Sequence, residues 1–173
     1  ILVGGVVFLG LYLTSLYSFL LFHSLVEIFT IVVACAIFIL AWNTRHLLDN
    51  NYLLFIGVSF LFVAIIVILH TLAYGGMGVF PGDDANLPTQ LWIAAQYLQS
   101  ISFLVAPLFI GRRLKILLLF LGYGLVTALL LGSIFYWQSF PDCYVAGVGL
   151  TPFKKISEYI ISLIFLAAIG LLF

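Results

Sequence analysis

Long apolar runs separated by short polar segments dominate the hydrophobic pattern of the chain. A helix that crosses a bilayer needs roughly 20 mostly apolar residues, whereas the strands of a membrane barrel alternate every second residue. Six runs of helical length occur, at residues 1–18, 21–42, 52–73, 89–110, 116–137 and 156–173. The pattern therefore predicts an all-α, polytopic membrane protein with about six transmembrane helices in a bundle, forming a single membrane-embedded domain over residues 1–173.

The boundary between the first two runs has the weakest sequence signal. The segment from Thr14 to Ser24 contains no charged residue, proline or glycine that would end a helix. We place the turn between Thr14 and Phe19; without that turn, the first run would be re-entrant. The other connections contain the glycine, proline and polar residues that are typical of loops.

Composition supports lipid as the main solvent of this chain. Hydrophobic residues make up 65% of the sequence and charged residues only 7%, against about a quarter charged in a soluble domain. The net charge is zero and no basic stripe exists, so we expect no nucleic-acid binding. Cys35 lies in an apolar run and Cys143 in a loop, and we expect two free thiols.

The distribution of basic residues predicts the orientation in the membrane, since short cytoplasmic loops are enriched in Lys and Arg. Arg45 follows the second run, and the loop 111–115 contains three basic residues. The loop 74–88 contains two aspartates and no basic residue, so it is predicted to lie outside. Lys154 and Lys155 oppose this arrangement, because they would lie at the outer end of the sixth span. On balance, both termini are predicted to be cytoplasmic.

Several polar residues lie within the outer halves of these spans, where burying them is costly and a functional role is the default hypothesis. His23 and Glu27 are four residues apart, so they share one helix face. The third run carries His70 near its outer end, and the fourth enters from the same side with Trp92. The predicted ligand or sensing pocket comprises His23, Glu27, His70, Tyr74, Trp92 and Gln96.

Each of these residues also has a simpler interpretation. The two histidines could lie at headgroup level, Trp92 could belong to an interfacial aromatic belt, and Gln96 could join helices through hydrogen bonds. Glu27 lies about a turn and a half deep, where a carboxylate would be protonated or paired. His23 or His70 is its natural partner. Whether these side chains converge laterally is not encoded in a single sequence.

A cofactor is a further alternative at the same residues. His23, Glu27 and His70 are a legitimate ligand set for a metal ion, and two histidines on adjacent helices can hold a haem. Met77 in the outer loop could add a soft donor. The sequence requires no cofactor, since it contains no HExxH and no CxxC motif. It also lacks GxSxG and phosphate-binding glycine loops, so the chain itself is not predicted to be an enzyme.

Three segments, taken together, resemble the third class of membrane-associated sensor (MASE) domains. They are FHSLVEIFTIVVACAIFILAWN at 22–43, LHTLAYGGMGVF at 69–80 and LPTQLWIAAQYLQSISFLVAP at 87–107. The similarity covers most of the chain. Members of that family are N-terminal sensory inputs that precede cytoplasmic PAS, histidine kinase or diguanylate cyclase modules in bacterial and archaeal proteins. The polar positions of the family pattern fall on His23, Glu27, Asn43, His70, Tyr74, Gly76, Met77 and Trp92.

The resemblance implies a transmembrane sensory input domain in the inner (plasma) membrane. It would detect an unknown stimulus through the outer-half polar pocket and regulate a cytoplasmic output, a histidine kinase of a two-component system or a diguanylate cyclase. The chain would then be part of a longer signalling protein whose output domain follows residue 173. Expected partners are the lipid bilayer, a small ligand or ion, the linked output domain and a second copy of the chain. The alternatives are a haem- or metal-binding redox or carrier subunit and a small transporter.

Overall fold

Six helices form most of the computed structural model, which describes residues 2–47, 51–81, 85–112 and 114–172. They are α1 (Leu2–Tyr17), α2 (Phe19–Thr44), α3 (Tyr52–Ala73), α4 (Asn86–Val105), α5 (Ile116–Phe135) and α6 (Pro152–Gly170). A 3-10 turn, Ala106–Phe109, extends α4, and a short hairpin of β1 (Tyr144–Val145) and β2 (Gly149–Leu150) precedes α6. The prediction of an all-α, six-helix membrane domain is confirmed.

Length and composition suit four of the described helices to crossing a membrane. These are α2, α3, α4 with its 3-10 extension, and α5. The first helix is apolar but shorter. The last, α6, carries Lys154, Lys155 and Glu158 in its first two turns and is apolar beyond them. The chain is thus a multi-pass membrane protein.

The chain turns between α1 and α2 at a single residue, Ser18. Its backbone is extended, and its hydroxyl accepts a hydrogen bond from the backbone N–H of Leu21 at 3.3 Å. A serine in this role satisfies one of the free N–H groups at the start of a helix. The turn predicted between Thr14 and Phe19 is therefore confirmed, and its signal was a capping serine rather than a helix breaker.

The sixth helix begins earlier than the sequence predicted. It starts at Pro152 instead of residue 156, because Thr151 caps it by accepting from the backbone N–H of Lys154 at 3.2 Å. Proline is well suited to the first helical position, where its missing N–H costs nothing. The early start brings Lys154 into the helix.

The centre of the bundle is α3, which is apolar on all faces and buried along most of its length. It packs against α2, α4 and α5, while α6 packs on α4 and α1 mainly on α2. Gly57 allows α2 and α3 to approach closely, since a Cβ added there would lie 2.4 Å from the Cβ of Ala41. Small residues at helix contacts are the usual means of close packing in membranes.

One end of the bundle, where α2, α4 and α6 begin and α3 ends, is called the site end below. The α5–α6 connection is fastened to α4 at this end. The side-chain oxygen of Asn86 accepts from the backbone N–H groups of Cys143 and Tyr144, at 2.8 and 3.0 Å. The side-chain amide of Gln90 donates to the carbonyl of Phe140 at 3.1 Å. The α5–α6 connection, which was predicted as a loop, is therefore held against the start of α4 and contains the hairpin.

Candidate functional site

The second helix presents His23 and Glu27 on the face that it turns toward α3. Their spacing of four residues places one a single turn above the other, and α2 is continuous through both. The side chain of Glu27 is 16% exposed. A carboxylate at this depth has little water to solvate it, so its neighbours decide its charge state.

The third helix supplies His70, one turn before its end, and this imidazole is 5% exposed. Its Nδ1 lies 2.7 Å from the carbonyl oxygen of Pro88 in the first turn of α4. Since a carbonyl only accepts, Nδ1 carries the proton and donates. The other ring nitrogen, Nε2, faces Glu27, with 3.9 Å between Nε2 and Oε1.

Aromatic contacts hold the two imidazoles in place. The rings of His23 and His70 meet edge to face, with centroids 5.4 Å apart. Tyr74 caps the end of α3, and its ring covers His23 with a centroid separation of 3.9 Å. The phenyl ring of Phe19 stacks on His23 from its own helix at 6.4 Å. Tyr74 thus forms a wall of the cluster.

The three ionisable side chains converge on one small space. One ligand atom from each of His23, Glu27 and His70 lies within 4.8 Å of the other two. The Nε2 atoms of both histidines are buried and have no hydrogen-bond partner within the described ranges. Lateral convergence, which the sequence left open, is therefore present. We call these three residues the His–Glu–His cluster.

The α4 residues of the predicted pocket meet Glu27 rather than the histidines. A cavity of about 110 Å³ runs from Glu27 into the bundle, and its polar lining includes Trp92, Gln96 and Gln99. At about 30 Å³ for each water molecule, the space suits a few waters or a small ion. A second depression, about 400 Å³ in volume, opens beside His70 and Tyr74 at the site end.

A buried lysine, which was not among the predicted site residues, contacts the wall of the cavity at Glu27. The side chain of Lys154 is on α6, is 7% exposed, and places its ammonium 4.0 Å from the ring centroid of Trp92. It also pairs with Glu158, one turn along the same helix. The i,i+4 spacing of Lys154 and Glu158 was a visible signal, but the partner ring on α4 was not. Trp92 is thus a contact between α4 and α6 as well as a cavity wall.

The loop after α3 folds back over the start of α2. Gly76 adopts a φ of 90°, which only glycine adopts readily, and a Cβ there would approach Leu20 at 3.1 Å. The sulfur of Met77 lies 3.8 Å from the hydroxyl of Ser24, the residue after His23. In this arrangement Met77 packs beside the cluster on α2.

Cys143 lies at the site end within the α5–α6 connection, in surroundings that make its thiol a poor nucleophile. Its side chain is fully buried, and the thiol is free. Burial raises the pKa of the Cys143 thiol to about 11. Because the thiolate is the nucleophile, Cys143 acts as a packed apolar residue rather than a catalytic one.

Fold and cluster together define a polytopic helical membrane domain with an ionisable cluster near one end of its bundle. The family model for the membrane-associated sensor domain, MASE3, matches residues 14–173. The chain belongs to that family, as the sequence resemblance predicted, and is a membrane sensor domain rather than a catalytic one. Comparisons with curated proteins and with solved structures give no match.

Proposed function

We propose that this membrane sensor domain detects its stimulus at the His–Glu–His cluster and passes the signal to a linked cytoplasmic output domain. The observation that carries the proposal is the convergence of His23, Glu27 and His70, whose ligand atoms lie within 4.8 Å of one another. A buried carboxylate beside two imidazoles is costly unless a proton or a cation neutralises it. The charge state of Glu27 therefore depends on which ion or ligand binds at the cluster.

The stimulus acts on the packing of three helices. Two members of the cluster are on α2 and one is on α3, and the hydrogen bond from His70 to Pro88 ties α3 to α4. A ligand that prefers one arrangement of these helices by about 1–3 kcal/mol is sufficient to shift the population. Tyr74 closes the cluster on one side, and Trp92 and Gln96 line the cavity on the other.

The proposed route to the output runs through α6. Trp92 lines the Glu27 cavity and contacts Lys154. A shift of α4 therefore displaces the start of α6. With both termini in the cytoplasm and the chain in the inner membrane, α6 leads to the output domain. By the family resemblance that domain is a histidine kinase or a diguanylate cyclase, and the signalling unit is a homodimer.

Output activity of the intact protein in membranes tests this proposal. We expect His23→Ala, Glu27→Gln and His70→Ala each to hold output in one state across changes of pH, osmolarity and divalent ions. The control is His46→Ala, because His46 is exposed and follows α2 at the opposite end of the bundle. Insertion is equalised by quantitative blotting. A normal response from all three cluster variants would refute the proposal.

A further inference from the structure

We propose that the His–Glu–His cluster binds one divalent transition-metal ion of the zinc class, an inference that names the ligand of the proposed sensory site and so rests on it. Two imidazole nitrogens and one carboxylate oxygen are a ligand set that zinc uses in open sites, where a water molecule completes the coordination. An open site lets the ion exchange with its surroundings, which a sensor requires.

The donor atoms are prepared for a cation. The Nε2 atoms of His23 and His70 are both buried and without a hydrogen-bond partner among the described residues. Because His70 donates from Nδ1 to the carbonyl of Pro88, Nε2 of the neutral imidazole carries a lone pair and not a proton. A backbone carbonyl in this position is the usual second partner of a metal-binding histidine.

The distances leave little to rearrange. For three donor atoms at most 4.8 Å apart, a point can be chosen within about 2.8 Å of all three, against ~2.0–2.2 Å for zinc–nitrogen and zinc–oxygen bonds. Small side-chain rotations close that difference. The negative charge of Glu27 would be neutralised by the ion, which removes the cost of burying the carboxylate.

The chemistry of the donors selects the class of ion. Calcium and magnesium prefer six or more oxygen ligands, and Glu27 supplies at most two. Imidazole with carboxylate suits zinc and its neighbours in the transition series. A haem would need its plane between two opposed imidazoles, but His23 and His70 meet edge to face with Tyr74 packed on His23. The same small space receives all three donors, and this favours a bare ion.

Cobalt titration of the metal-stripped, full-length protein in lipid nanodiscs tests the inference. Cobalt(II) is the probe because its visible absorption reports nitrogen and oxygen coordination, and zinc(II) then competes for the site. The protein is purified with a tag that contains no histidine. We expect one cobalt ion per chain, displaced by zinc.

The variants His23→Gln, Glu27→Gln and His70→Asn isolate the cluster. Changing a second partner of a metal ligand costs about 10–100-fold in affinity, so the loss of a ligand should weaken cobalt binding at least as much. The asparagine at position 70 can still donate to the Pro88 carbonyl. His46→Gln is the control, since His46 is the histidine of this sequence that lies outside the cluster, at the opposite end of the bundle. Circular dichroism verifies that each variant is folded.

The outcomes separate this inference from the proposed function. Loss of the cobalt signal in the cluster variants alone supports the metal site. If folded wild type gives no saturable signal, or if the cluster variants bind like wild type, the inference is overturned. If the protein binds no metal but the cluster variants still fix the output in one state, the sensory proposal stands without the metal. Metal binding with output indifferent to zinc, to chelation and to the variants would remove the sensory role and keep the site.

Discussion

The Nδ1 atom of His70 lies 2.7 Å from the carbonyl oxygen of Pro88, and this hydrogen bond joins the end of α3 to the start of α4. It has two consequences. It fixes the tautomer of the neutral imidazole, in which Nε2 faces Glu27 with a free lone pair. It also links the position of α4 to His70, which is a member of the His–Glu–His cluster.

Two substitutions at position 70 separate these consequences. The amide nitrogen of asparagine lies as many bonds from Cα as Nδ1 does, so His70→Asn can keep the bond to Pro88. Glutamine reaches the position of Nε2 instead. We expect His70→Gln to lose about 0.5–1.5 kcal/mol of stability relative to His70→Asn, measured by thermal unfolding in nanodiscs. Equal stability of the two variants would show that the hydrogen bond does not hold α3 to α4.

The contact between Lys154 and Trp92 should hold α6 against α4. Lys154→Met keeps an unbranched side chain, shorter by one atom, and removes its charge, so it loses the cation–π contact and the pair with Glu158. We expect a loss of about 1–2 kcal/mol in unfolding free energy, since the ammonium is desolvated. The control is Lys155→Met, because Lys155 is exposed on the same turn. If both variants are equally stable, the contact is not stabilising.

The close approach of α2 and α3 at Gly57 predicts a compensating pair of substitutions. Gly57→Ala would place a methyl group 2.4 Å from the Cβ of Ala41, and overpacking of this kind costs about 1–3 kcal/mol. Adding Ala41→Gly should restore most of the loss. The control is Gly122→Ala in α5, where a Cβ meets nothing within 4 Å. Independent, additive effects in the double variant would contradict this packing.

The buried thiol of Cys143 should react only at high pH. With a pKa raised to about 11, roughly 0.1% of the thiol is ionised at pH 8. The alkylation rate of a Cys35→Ser protein should therefore rise about tenfold for each pH unit up to pH 11. The denatured chain, with an ordinary thiol pKa near 8.5, should react rapidly at pH 8. Fast labelling of the folded protein at pH 8 would show that the α5–α6 connection opens.

Hydrophobic run lengths were sufficient to predict six helices, because in a bilayer every backbone group must be paired within its own helix. Polar residues within those runs were sufficient to select His23, Glu27 and His70, because burying them is costly. The level of each along the bundle followed from its position in its run. Their lateral convergence depends on how α2 and α3 rotate about their axes, and this is set by contacts such as Gly57 with Ala41.

Other features depended on contacts between distant segments. The burial of Lys154 requires the ring of Trp92 from another helix, so the sequence placed that lysine only at the edge of the membrane. The hairpin before α6 is held by Asn86, more than fifty residues earlier in the chain. No local pattern encodes either feature.

The most direct test of the sensory role compares the output of intact protein carrying Glu27→Gln with that of Asp142→Asn in native membranes. Asp142 is exposed in the α5–α6 connection and lies outside the proposed route to the output. Both substitutions remove one carboxylate and keep the shape of the side chain. We predict that Glu27→Gln fixes output at one level across pH and divalent-ion conditions, while Asp142→Asn keeps the response of the wild type. If inserted, folded Glu27→Gln protein responds as the wild type does, the His–Glu–His cluster is not the sensing site.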